Sequence, residues 1–203
     1  MILAIETSTG MCSAALIDGD VLVDTREERL GRGHAERLVP LIDDLLDDRI
    51  PARILVSVGP GSFTGIRVGI AAAQGLSIGW QVPLHGFSSL AVIAATALAE
   101  REVEGVTAVM QGGHGEVFVQ GFDAKGHPSG AAQSLPPEHA ARDHDRPLLA
   151  GPAAQALADA GAGGEVMILD PLARNARLLG ESAARLDPAP LYVRPPDAKP
   201  KAA

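Results

Sequence analysis

Aromatic residues are scarce in this 203-residue chain: they make up 3%, with one Trp, one Tyr and four Phe. That leaves little material for the stacked rings that grip single-stranded nucleic acid. Cationic side chains are also in deficit, 17 Lys and Arg against 25 Asp and Glu, for a formal net charge of -8. A domain that binds nucleic acid by itself carries the opposite balance, because a basic field is needed to meet phosphates. The one cysteine excludes an internal disulfide framework and a thiolate metal cage, and suits a reducing compartment. Long apolar runs are missing too. Val68 to Trp80, the most apolar stretch, is broken by Gln74 and three glycines and falls short of a bilayer span. Met1 to Thr9 has no basic segment and its apolar run stops at Glu6, so no secretory leader is expected. What is present, 46% hydrophobic and 21% charged residues, is the composition of a folded protein with a buried core. The expectation is a soluble cytoplasmic protein with no membrane partner.

Hydrophobic periodicity organises the first half. Ile2 to Ile5 reads as a buried strand closed by the polar turn Glu6-Thr7-Ser8-Thr9-Gly10. Ser13 to Ile17 and Val21 to Thr25 flank Asp18-Gly19-Asp20, a hairpin signal. Leu38, Leu41, Ile42 and Leu45 recur at helical spacing, and Pro40 inside that pattern predicts a kink or a late start. Ile54 to Val58 is a further strand that empties into Gly59-Pro60-Gly61-Ser62-Phe63-Thr64-Gly65, and a second helix is predicted from about Gly65 to Gly79. A strand near Pro83 to Phe87 leads to a helix from Ser88 to about Arg101, with Ser88 or Ser89 as N-cap. The order β-β-β-α-β-α-β-α gives an α/β class of RNase H-like or actin-like type, a mixed sheet flanked by helices.

The second half echoes the first in reduced form. Val106 to Met110 and Glu116 to Phe122 read as strands joined by Gln111-Gly112-Gly113-His114-Gly115. Pro128 to Pro147 is predicted to wrap the surface irregularly. Leu148 to Ala150, a helix over Pro152 to Ala160, a strand over Val166 to Leu169 and a helix over Leu172 to Leu186 follow. Five prolines in the last seventeen residues predict an extended or disordered tail. The expected division is an N-terminal subdomain over 1–103, a smaller one over 104–186 whose last helix can pack back on the first, and the tail over 187–203.

The loop Gly59 to Gly65 is the most specific local feature. Its glycines and proline fix a tight strand-to-helix turn, and Ser62 and Thr64 offer hydroxyls to the first N–H groups of the helix. A plain turn and cap is one reading and an anion site the other. No Gly-Lys-Ser/Thr follows, so it is not a Walker loop. Gly65, Gly69, Ala73 and Ser77 lie at four-residue intervals, so one stripe of the helix lacks bulk. Close packing on the protein's own sheet and a partner helix crossing there both account for it. Glu6, Thr7 and Ser8 stand where an actin-like ATPase meets Mg²⁺ and phosphate, but that chemistry needs a second carboxylate, and the corresponding turn begins with Gln111. The six histidines show no ligand spacing and Cys12 has no neighbouring base in sequence, so neither a metal site nor a nucleophile is expected.

Met1-Ile-Leu-Ala-Ile-Glu-Thr-Ser-Thr9, His34-Ala-Glu-Arg-Leu-Val-Pro40 and above all Gly59-Pro-Gly-Ser-Phe-Thr-Gly-Ile-Arg-Val-Gly69 resemble the bacterial TsaB (YeaZ) family. Glu116-Val-Phe118 and Pro190-Leu-Tyr-Val-Arg194 are similar to its later segments. The resemblance implies an actin-like (ASKHA) fold in two subdomains and a non-catalytic subunit of the machinery that makes threonylcarbamoyladenosine beside the tRNA anticodon. It implies pairing with a catalytic TsaD-like subunit, addition of a TsaE-like ATPase, tRNA contact only through the complex, and self-pairing when the partner is absent. No cofactor is implied for the chain itself, and ATP or ADP at the junction with the partner is left open. Carried onto matching positions, the interface uses His34, Leu38, Leu41, Ile42 and Leu45 with Gly65, Gly69 and Ala73. The motif loop comprises Gly59, Pro60, Gly61, Ser62, Thr64 and Arg67, and a vestigial nucleotide site would involve Glu6, Thr7, Ser8, Gly112 and Gly113. The sequence departs from the family at Glu6, where Asp is commoner, and at Gln111-Gly112-Gly113, where Asp-Ala-Arg is usual. The rival readings are an actin-like small-molecule kinase or ATPase and, last, a peptidase, for which no triad or zinc motif is present.

Overall fold

The computed structural model describes residues 1–144 and 146–193. β1 (Ile2–Glu6), β2 (Met11–Asp18) and β3 (Val21–Arg29) form the antiparallel ribbon that the two turns predict. β4 (Arg53–Gly59) and β5 (Leu84–Ser88) add in parallel on the other side of β1, giving the order β3-β2-β1-β4-β5. Strand alternation then assigns the two faces. Leu3, Ile5, Ile54 and Val56 meet α1 (His34–Leu46) and α2 (Phe63–Trp80), while Ala4 and Leu55 point the other way.

On that second face lie α3 (Ser89–Glu100) and a 3-10 turn, Ala173–Leu178. Beyond α3 comes the second sheet, β6 (Gly105–Gln111), β7 (Val117–Asp123), β8 (Gln133–Leu135), β9 (Leu148–Ala150) and β10 (Glu165–Met167), in the order β10-β9-β6-β7-β8. Three of its strands are only three residues long, the reduction that the sequence predicts. α3 serves both sheets: Val92 packs with Leu55 and Phe87, whereas Leu90, Ile93 and Ala97 pack with Val106, Ala108 and Phe122. α4 (Pro137–Asp143) and α5 (Ala154–Asp159) cover the outer face of the second sheet through Ala140 and Leu157.

Four local expectations are corrected. α1 runs through Pro40 without a late start, because Pro40 sits on the exposed side where the freed Glu36 carbonyl can meet water. α2 begins at Phe63, since Ser62 caps it by accepting from the Gly65 N–H at 3.2 Å. Residues 128–144 are not irregular but contain β8 and α4. The helix predicted over Leu172–Leu186 is a 3-10 turn: Ala173 and Ala176 lie flat against Ala4 and Ala15, the Ala173 N–H is taken by Ser13 Oγ at 3.0 Å, and Gly180 follows the turn.

The segment after it returns to the first sheet. Leu186 pairs with Gly86 through Gly86 N–H to Leu186 carbonyl at 2.7 Å and the reverse bond at 3.0 Å. Leu191 then donates to the Val58 carbonyl at 2.8 Å. Of the residues expected to form the tail, 187–193 follow a bent path anchored by the Leu191 bond, and 194–203 lie outside the described residues. Among the described residues no helix is long and apolar enough to cross a membrane.

Candidate functional site

Two segments far apart in sequence interlock beneath α2. The Thr7 hydroxyl donates to the Gly65 carbonyl at 2.8 Å, and the Ser62 N–H donates to the Ser8 carbonyl at 2.7 Å. A Cβ at Gly61 would overlap the Ser8 carbonyl, one at Gly65 the Thr7 carbonyl, and one at Gly69 the Thr7 hydroxyl. Gly59 and Gly61 also hold φ of 98° and 151°, a region that disfavours side chains. The glycines of the motif are therefore spent on docking α2 against the β1 turn. Pro60 is buried in this junction, whereas Thr64 and Arg67 face outward.

This geometry corrects the interface expectation. Leu38, Leu41, Ile42, Leu45 and Ala73 lie within the core that includes Leu3, Ile5, Leu16 and Val56, and Gly65 and Gly69 are buried with them. His34 is buried as well, its Nε2 3.1 Å from the Met11 carbonyl oxygen. The bare stripe of α2 faces inward because Thr7 occupies the space that side chains would need. The outward face is a different set. Arg67, Ala71, Gly75 and Gly79 repeat at four-residue intervals on the exposed side, and a Cβ at Gly75 or Gly79 would meet nothing within 4 Å among the described residues. Exposed apolar side chains occur on the same two helices: Phe63 is 62% exposed and Ile78 78% on α2, and Val39 51% on α1. The spacing of this second stripe was visible in the sequence, and Thr64, Arg67 and Gln74, the polar residues on the same exposed side of α2, were the signal that could have oriented it.

Glu6 is fully enclosed. Its Oε1 accepts from the Ser8 N–H at 2.6 Å and its Oε2 from the Ser89 hydroxyl at 2.9 Å, with Ser57 Oγ 2.6 Å beyond Ser89. Burial pushes its carboxyl above the ordinary carboxylate range, against these hydrogen bonds, which act to lower it. Thr7 and Ser8 are likewise buried and joined to the motif loop, Thr7 through its hydroxyl and Ser8 through its carbonyl. Gly112 and Gly113 belong to the hairpin between β6 and β7 in the other sheet, where the Gly112 N–H donates to the Glu116 carbonyl at 2.9 Å. The residues assigned to a vestigial nucleotide site thus form two separate structural turns.

Among the described residues no group of three or more His, Cys, Asp or Glu is placed to hold a metal ion. The Cys12 thiol is enclosed, and burial, with a smaller push from Glu28, raises it to about 11, far from a reactive thiolate. At the surface of the motif the Arg67 guanidinium lies 3.3 Å from the centroid of the Phe63 ring and bonds the Tyr192 hydroxyl.

Comparison with known proteins accords with this construction. The family model described as TsaD, tRNA N6-adenosine threonylcarbamoyltransferase, matches residues 28–132. The tRNA threonylcarbamoyladenosine biosynthesis protein TsaB of Escherichia coli (strain K12) is 37% identical over 122 residues, covering 58% of this chain and 52% of that protein. The chain spans about half the length of that curated relative. The structure of YeaZ from Pseudomonas aeruginosa superposes with a TM-score of 0.80 at 31% identity, covering 94% of this chain and 98% of that one. The ethanolamine utilization protein EutJ from Carboxydothermus hydrogenoformans shares the fold alone, with a TM-score of 0.51 at 13% identity over 88% of this chain and 89% of that one. The fold is that of the actin-like ATPases, and with its interlocked amino-terminal and glycine-rich motifs the chain belongs to the TsaB (YeaZ) family.

Proposed function

We propose that this chain is a non-catalytic subunit of the machinery that makes N6-threonylcarbamoyladenosine at tRNA position 37, next to the anticodon, and that it binds and activates a TsaD transferase subunit. The observation that carries the reading is the outward stripe of α2. Each glycine in an exposed helix costs about 1 kcal/mol relative to alanine, and among the described residues nothing lies within 4 Å of a Cβ added at Gly75 or Gly79. A partner helix gives them a use, because the separation of two packed helices depends on the side chains at their contact. The exposed apolar side chains Phe63 and Ile78 on α2 and Val39 on α1 offer anchors for such a partner. The identity of the relative in Escherichia coli, a tRNA threonylcarbamoyladenosine biosynthesis protein, supports the pathway.

In the same proposal a TsaE-like ATPase joins the pair, and ATP or ADP is taken up at the junction and not within this chain. With a net charge of -8 the subunit offers no basic field for tRNA, which it meets only through the complex. A second copy can occupy the same face when the partner is absent. The kinase or ATPase alternative requires Glu6 to reach a metal, yet its carboxyl is enclosed with both oxygens bonded. Gly75→Leu is expected to remain folded, to lose co-purification with TsaD and to abolish formation of the modified nucleoside in the reconstituted system. Undiminished pairing of that folded variant overturns the proposal. Mg²⁺-dependent ATP hydrolysis by the isolated chain, lost on Glu6→Ala, would restore the alternative.

A further inference from the structure

The last described residues form a built element with an end on the docking face. Gly86 is compelled by it: a Cβ there would lie 2.8 Å from the Asp187 carbonyl oxygen, besides crowding Val58. The register between β4 and β5 shifts between Ser57 and Gly59, and the Val58 carbonyl accepts instead from Leu191 at 2.8 Å. One residue further, the Tyr192 hydroxyl meets the guanidinium of Arg67, and the Tyr192 and Phe63 rings stand 6.4 Å apart. Tyr192 is 57% exposed, so burial does not account for its placement.

Arg67 is the one charged residue of α2 and lies on the same outward stripe as Ala71 and Gly75. Its guanidinium rests on the Phe63 ring and is tied at one end by Tyr192, yet no carboxylate among the described residues pairs with it. A cation held over a ring and fixed by a hydroxyl has already given up much of its freedom, and its planar fork matches a carboxylate through two parallel N–H donors. A guanidinium held in place with no carboxylate partner among the described residues is prepared for one from outside.

We propose that residues 186–192 are a strap that completes the docking face at the start of α2, with Tyr192 positioning Arg67 to receive a carboxylate side chain of the TsaD partner. This rests on the outward face of α1 and α2 being the docking surface. The strap supplies through Leu191 and Tyr192 a contact that α2 alone lacks, and it ties the end of the chain to partner recognition.

The test uses the full chain and a purified TsaD protein, with affinity measured by calorimetry at low and high salt. Tyr192→Phe, which keeps the ring, is expected to weaken binding about two- to tenfold, the scale of one hydrogen bond, without moving the unfolding midpoint. Arg67→Gln is expected to weaken it further and to remove most of the salt dependence, and Arg67→Lys not to restore it. Unchanged affinity and salt dependence in Tyr192→Phe and Arg67→Gln overturn the strap, while a Gly75→Leu variant that fails to pair leaves the docking surface standing. Loss of affinity in Tyr192→Phe only in step with a lowered unfolding midpoint overturns it equally. If Gly75→Leu pairs normally, the docking surface itself is wrong.

Discussion

The hydroxyl of Thr7 occupies the place that a Cβ on Gly69 would need, and it donates its proton to the carbonyl of Gly65. The two bare stripes of α2 therefore have opposite duties, one turned to the β1 turn and one to solvent. Gly69→Ala is expected to destabilise the protein by about 1–3 kcal/mol, as overpacking does. Gly75→Ala is expected to stabilise it by up to about 1 kcal/mol through helix propensity. Urea unfolding of both variants checks the pair, and the reverse ranking would mean that the stripes are misassigned.

Glu6 supplies a test in pH. Its folded carboxyl titrates above the unfolded one, so the folded state holds the proton longer. Its contribution to stability is complete below about pH 4.5, the unfolded value, and is lost as pH rises toward the folded value. When protonated, Glu6 can donate to Ser89 Oγ, which can in turn donate to Ser57 Oγ; a glutamine amide does the same at every pH. Glu6→Gln should match the parent at low pH and exceed it in stability near neutrality. The measurement is the difference between the two unfolding free energies from pH 4 to 8, and a flat difference would show that the carboxyl is not held protonated.

Cys12 tests the enclosure of the first sheet. With its thiol buried and raised to about 11, it should react with a thiol reagent at pH 8 about a hundredfold or more slowly than in the urea-unfolded chain. Labelling as fast in the native protein as in the unfolded one would contradict the packing of β2 beneath α1.

Ser62 isolates the capping bond from the glycine geometry. Removing its hydroxyl in Ser62→Ala leaves the backbone bond to Ser8 intact and takes away only the acceptor for Gly65. A loss of about 1 kcal/mol in urea unfolding is expected. A neutral result would assign the start of α2 wholly to the interlock with the β1 turn.

The first half of the fold was readable because its signals are local. The alternation of Leu3, Ala4 and Ile5 and the Asp18-Gly19-Asp20 turn act within a few residues, and both strands and hairpin form where they predict. Where the outcome depends on distant groups, local pattern misleads. Leu172 to Leu186 has helical periodicity, but Ser13, Glu27 and the small side chains of β1 and β2 draw Ala173 to Leu178 into a tighter turn. Prolines after Asp187 suggest an extended or disordered tail, and no local pattern shows that the Val58 carbonyl accepts from Leu191 within it. The glycine motif was conspicuous in sequence, yet which side of α2 it served depended on Thr7, which no local window contains.

α3 carries one further consequence. Since it gives Val92 to one core cluster and Leu90 and Ile93 to another, the two sheets share the layer that lies between them. A hinge that opened the halves like jaws would have to tear that helix from one of them. What this chain presents to another molecule is in that respect an anvil, rigid in the middle and shaped before contact.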